Sequence, residues 1–226
     1  MSNRKDYLTR SDALFALRKM KKFHNDLDSV MTRNGFSLLE NLGRRNILLS
    51  CSQEKFFSDA LARRYDVIND GRTGEPDIMI KSLGRELECK LTSRQKSGAI
   101  SFQTDYATLK KKKKLDYLYV VANKTFDEFA VIHYTDLTTA DFRKVSTGAR
   151  GKTQLMKHKA IDRASVLLGG FENINERELK KLNDQLSSQK VSPSRRKKLL
   201  KSIEYWEKTP TKYSIALEGI NAIKSQ

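Results

Sequence analysis

The sequence predicts a mixed α/β fold, with a central sheet flanked by helices and a basic helical part at the C-terminal end. Three observations lead there. Leu14, Leu17, Met20, Leu27, Val30 and Met31 recur at the spacing of a helix. Leu115 to Ala122 is almost wholly apolar or aromatic, as a strand buried on both faces would be. Between them, Glu75 to Lys90 reads as a hairpin, with Ile78-Met79-Ile80, a turn at Ser82-Leu83-Gly84, and the alternating Glu86-Leu87-Glu88-Cys89-Lys90-Leu91.

Composition narrows the function. The 226 residues suffice for a sizeable core. Lys and Arg number 44 against 27 acids, a net charge of +17. An excess of this size opposes compaction unless a polyanion offsets it, so nucleic acid is the expected partner. Cys51 and Cys89 are too few for a disulfide framework. Met1 to Arg10 lacks an apolar signal core, and no stretch is long and apolar enough to span a membrane, so a cytoplasmic protein is expected.

In chain order, Ser11 is the expected N-cap of the first helix, and Asn34-Gly35 its end. Its outer face is basic, with Arg18, Lys19, Lys21 and Lys22. His24 is given no function. Phe36 to Leu49 is apolar but interrupted by Gly43, and its form stays open. Ser50-Cys51-Ser52-Gln53 has the spacing of a capping box, so the second helix is expected over Gln53 to about Arg64, buried through Phe56, Phe57, Ala60 and Leu61. Glu54 would then lie in the first turn, where the helix dipole favours a carboxylate. Tyr65 to Asn69 reads as a short strand, with a turn at Asp70-Gly71. A helix is expected from Phe102 to about Lys113, with Tyr106 and Leu109 inward, and a strand from Phe129 to Tyr134. Arg143 to Arg163 is rich in cations and loosened by Gly148 and Gly151. Leu179, Leu182 and Leu186 mark one further helix. Ser192-Pro193 starts the last, with Leu199, Leu200, Ile203 and Trp206 inward.

The chemistry concentrates in the hairpin. Alternation puts Leu87, Cys89 and Leu91 on one face and Glu86, Glu88 and Lys90 on the other, with Asp77 opening the first strand. Cys89 then reads as a small core residue. Asp77 and Glu88 are hard oxygen donors from neighbouring strands, suited to Mg²⁺. Lys90 would stand beside the attacking water or a phosphate oxygen. The plainer alternative is an ordinary Glu88–Lys90 ion pair on a surface hairpin. Glu86 shares the face and is the rival ligand.

Pro76-Asp77 followed by Glu88-Cys89-Lys90 on the next strand resembles the motif of the PD-(D/E)XK nucleases. The surrounding order of helix, three strands, helix and strand is similar to that family's core too. The resemblance implies a restriction-endonuclease-like core over about 50–135, between an N-terminal helical part, 1–49, and a basic part, 136–226, in a single nuclease domain. It implies that Asp77, Glu88 and the Cys89 carbonyl bind the metal, that Lys90 positions the water, and that Glu54 takes the place of a further carboxylate on the preceding helix. Gln103 and Tyr106 are one residue closer than the Q-x-x-x-Y of some members, and their roles are not carried over.

A stand-alone chain of this size with a basic appendage looks most like a type II restriction endonuclease. That implies a homodimer cutting double-stranded DNA at a specific, palindromic site with Mg²⁺. Arg143, Lys144, Arg150, Lys152, Lys157, Lys159, Arg195, Arg196, Lys197 and Lys198 are then the expected DNA contacts, mostly to phosphate. A structure-selective nuclease, such as a junction resolvase or repair enzyme, is the alternative of the same core. A non-catalytic DNA-binding protein is the alternative of another class.

Overall fold

The computed structural model describes residues 6–69, 71, 75–145, 151–187 and 192–220. The first helix, α1 (Arg10–Arg33), is capped by Thr9 rather than Ser11. Thr9 and Asp12 close a reciprocal capping box: the Asp12 N–H donates to the Thr9 hydroxyl at 3.2 Å, and the Thr9 N–H to the Asp12 carboxylate at 2.9 Å. Asn34 and Gly35 end the helix as expected, with Gly35 at a φ of +77°. Ala13, Ala16, Leu17, Met20 and His24 are buried along its inner face, whereas Val30 is exposed.

α2 (Leu42–Ala62) begins far upstream of Gln53, because the Asn41 side chain accepts the Arg44 N–H and caps it there. Gly43 sits in its first turn and does not break it. Ser50 and Ser52 are interior residues whose hydroxyls donate to the Ile47 and Leu49 carbonyls, so they cap nothing. Glu54 therefore lies in the middle of the helix, where the dipole has faded. Phe57, Ala60 and Leu61 are fully buried as expected.

Next come β1 (Val67–Ile68), β2 (Ile78–Ile80), a 3₁₀ turn closed by Gly84 at a φ of +59°, and β3 (Arg85–Ser93). Asp70 of the expected turn lies outside the described residues. The helix expected from Phe102 divides into β4 (Gln103–Asp105) and α3 (Tyr106–Lys112), because Asp105 accepts the Thr108 N–H and caps the helix there. β5 (Lys114–Ala122) and β6 (Glu128–Thr138) are the long central strands. β7 (Lys152–Gln154) pairs with β4, and α4 (Lys157–Asp162) follows. β8 (Ser165–Leu168) and β9 (Gly170–Asn173) lead to α5 (Ile174–Leu186) and α6 (Pro193–Lys208). Ser192 caps α6 and Pro193 opens it, as the sequence predicts. Leu199 is buried but Leu200 is half-exposed, contrary to expectation. β10 (Tyr213–Ala216) pairs with β9, and β11 (Glu218–Gly219) with β6.

The main sheet runs β1-β2-β3-β5-β6-β11, with β8 also on the outer edge of β6. β3 and β5 are parallel and the other pairs antiparallel, so the sheet is mixed. The parallel pair requires a crossover, and it passes through β4 and α3. One face of β5 (Leu118, Val120, Ala122) packs with Leu87 and Cys89 against Leu17, Phe57 and Leu61 of the α1–α2 layer. The other face (Tyr117, Tyr119, Val121) packs with Ile132 and Tyr134 against Phe102, Leu109, Leu155 and Ala160. A central strand buried on both faces holds the end of β3 rigidly between two layers.

Candidate active site

β2 and β3 pair only as far as Ile78 and Leu87. Just past that pair, the Asp77 carboxylate accepts the Cys89 N–H at 2.7 Å. Asp77 is therefore fixed at the point where the hairpin ladder stops. Cys89 sends its side chain into the core, where burial pushes the thiol pKa well up and keeps it protonated. Glu88 and Lys90 project from the opposite face of β3, with Lys90 Nζ donating to Glu88 Oε1 at 2.5 Å. The Lys90 side chain is a third exposed and that of Glu88 less so, so the pair faces solvent from a largely dry base.

Glu54 comes from the helix layer on the other side of the sheet. It is half-buried and lies within electrostatic reach of Asp77, Glu88 and Lys90, past the end of β2. Burial pushes its pKa up to about 7, Asp77 and Glu88 add to the rise, and Lys90 opposes it. Asp77 is raised as well, by burial and then by Glu88, against the pull of Lys90 and the Cys89 N–H. For Lys90, burial works against the charge, but Glu88 and then Asp77 outweigh it and the pKa rises. Glu54, Asp77 and Glu88 thus lie within electrostatic reach of Lys90.

Among the described residues, no three His, Cys, Asp or Glu side chains converge as a ready metal cage. Mg²⁺ does not need one, since it keeps several waters and takes one or two carboxylates. The donor set fits such an ion. Asp77 and Glu88 are hard oxygens, and the pKa values of Asp77 and Glu54 are raised first by burial and then by the neighbouring carboxylates. Glu86 is engaged elsewhere: Lys112 of α3 donates to it at 3.0 Å and to Glu75 at 3.3 Å.

A cavity of about 490 Å³ opens directly beside Lys90, lined also by Gln103 of β4 and Lys152 of β7. Tyr106 is not part of its wall. Of the expected DNA contacts, Arg143, Lys144, Lys157, Arg195, Arg196, Lys197 and Lys198 are exposed but line no part of this cavity, and Lys159 is half-buried. Arg150 lies outside the described residues. Arg163, at the end of the cationic stretch, pairs with Asp141 at 2.7 Å and with two main-chain carbonyls, so its role is structural. Arg94 and Ser93 also line the cavity and went unnoticed in the sequence. The signal for Arg94 was available, because the alternation of Glu88 and Lys90 continues through Thr92 to Arg94. Compared with protein-family models, with curated proteins and with solved structures, the chain matches none.

Proposed function

We propose that the chain is a Mg²⁺-dependent endodeoxyribonuclease of the PD-(D/E)XK kind, and specifically a type II restriction endonuclease acting as a homodimer on double-stranded DNA. The observation that carries the reading is Asp77, held by the Cys89 N–H where the β2–β3 ladder ends, beside the Glu88–Lys90 pair and within electrostatic reach of Glu54. Support comes also from the run α2, β1, β2, β3, β4, α3, β5, with β3 and β5 parallel: apart from the short β4, which pairs with β7 outside the main sheet, it follows the helix, three strands, helix and strand that the resemblance implies. The net charge of +17 suits a polyanionic substrate.

Asp77 and Glu88 would hold the ion, with the Cys89 carbonyl on the strand edge that β2 leaves uncovered. When bound, Mg²⁺ polarises the phosphoryl oxygen and eases deprotonation of water. Lys90, kept charged by Glu88, donates to a phosphate oxygen and orients the attacking water. Glu54, with a pKa of about 7, is poised to accept a proton near neutral pH. One site per chain cuts one strand, so two copies related by a two-fold axis cut both.

Digestion of plasmid and phage DNA with Mg²⁺ tests the function. Discrete fragments are expected. Selective cutting of four-way junctions would replace the restriction reading with the structure-selective one, and intact DNA in both assays would remove the nuclease reading.

A further inference from the structure

The short ribbon β4–β7 stands beside the candidate active site, with Gln103, Asp105 and Lys152 bordering the same cavity as Lys90. Its register, Gln103↔Gln154, Thr104↔Thr153 and Asp105↔Lys152, sorts its side chains by alternation onto two faces. Thr104 and Thr153 are buried, as are Phe102 and Leu155 two residues further along each strand. Gln103, Asp105 and Lys152 are exposed on the other face, with Gln154 half-buried among them.

Two tyrosines fix this ribbon relative to the Glu88–Lys90 pair. Tyr117 and Tyr119 of β5 are the ladder partners of Glu88 and Lys90 on β3. The Thr104 hydroxyl donates to the Tyr117 hydroxyl at 3.0 Å, and the Tyr119 hydroxyl donates to the Gln103 carbonyl at 3.2 Å. Both rings are buried, so β4 keeps a set offset from the residues assigned to the chemistry.

The outer face of the ribbon is unlike the composition around it. On a chain of net charge +17 it presents one acid, one cation and two amides. A phosphate track calls for cations, because affinity there comes from released counterions. Base edges instead present donors and acceptors side by side, and the major groove, about 12 Å wide, admits a two-stranded ribbon. Two of the four side chains are engaged locally. Asp105 accepts the Thr108 N–H at 2.9 Å as the cap of α3, and the Gln154 amide donates to the Ser101 hydroxyl at 2.9 Å. Among the described residues the Gln103 side-chain amide makes no hydrogen bond. Its N–H and C=O are both open, the pair that matches N7 and the amino group of adenine.

We propose that the β4–β7 ribbon enters the major groove of the duplex, where Gln103 reads an adenine and Lys152 holds a neighbouring phosphate. That the read base lies at a fixed distance from the cleaved bond rests on the nuclease reading; base reading by the ribbon does not.

Selection of bound sites from duplex DNA with a randomised segment, in Ca²⁺ with the full chain, tests this. The wild type is expected to enrich a sequence with a fixed adenine. Gln103→Ala should lower the preference for that adenine about ten-fold and leave the other positions and the affinity for random duplex unchanged, as loss of one bidentate base contact implies. No sequence preference in the wild type, an unchanged preference in Gln103→Ala, or a loss spread evenly over all positions would each overturn the proposal. Gln103 is exposed and its amide holds no other group, so the replacement leaves the fold intact. Digestion of the same DNA with Mg²⁺ separates the two readings. Cleavage without sequence preference would remove the reading ribbon and keep the nuclease. A Gln103-dependent adenine preference in a chain that cuts no DNA would keep the ribbon and remove the nuclease.

Discussion

Glu54 has a pKa of about 7, raised by burial and by the neighbouring carboxylates, against an ordinary value of 4.5. The folded chain therefore binds a proton there more tightly than the unfolded chain does. The stability this gives is fully present below the unfolded value and is lost as pH rises through about 7. Glu54→Gln should accordingly stabilise the metal-free protein at pH 8 by about 1–2 kcal/mol, with little effect at pH 4, as urea titrations at the two pH values would read. Equal midpoint shifts at both values would mean that Glu54 does not feel the cluster.

At this scale much of the site is legible in the sequence. Strand alternation alone separates Cys89 from Glu88 and Lys90, and the structure gives Cys89 to the core and the charged pair to the opposite face. The place of Glu54 in its helix is not legible. Ser50-Cys51-Ser52-Gln53 has the form of a capping box, but hydroxyls inside a helix bond the preceding turn equally well, and Asn41 starts the helix much earlier. Arg45, inside that early part of the helix, is held by carbonyls distant in the chain, a contact no local pattern shows.

At the scale of elements, Arg45 fastens α2 to the loop between β5 and β6 and to the end of β3. Arg45→Met should cost about 2–4 kcal/mol, because it removes a fully buried guanidinium bonded to the Asn123 and Lys124 carbonyls and to Ser93; a loss under 0.5 kcal/mol in chemical denaturation would show that water replaces it freely. Gly169, between β8 and β9, has a φ of +62°, and a Cβ there would stand 2.5 Å from the Ala216 carbonyl oxygen and 2.8 Å from that of Phe129. Gly169→Ala should lower stability by about 2–4 kcal/mol through strain and overpacking, measured in the same way. The short strands β4, β7, β8, β9, β10 and β11 escaped the sequence reading. Each is four residues or fewer, too short for a period to register, and each is defined by a distant partner. Long β5 and β6 carry their own signal and were expected.

For the whole molecule, the exposed cations predict affinity for DNA that falls steeply with salt. Arg196→Ala and Lys152→Ala should each weaken binding for all sequences and reduce the salt slope by about one, and an unchanged slope would remove that residue from the interface. The measurement closest to the central claim compares the wild type with Asp77→Ala and Lys90→Ala on one DNA substrate, with Mg²⁺ for cleavage and Ca²⁺ for binding. Cleavage by the wild type alone is predicted, with DNA binding in Ca²⁺ retained by all three proteins. Cleavage by either variant at the wild-type rate would contradict the account.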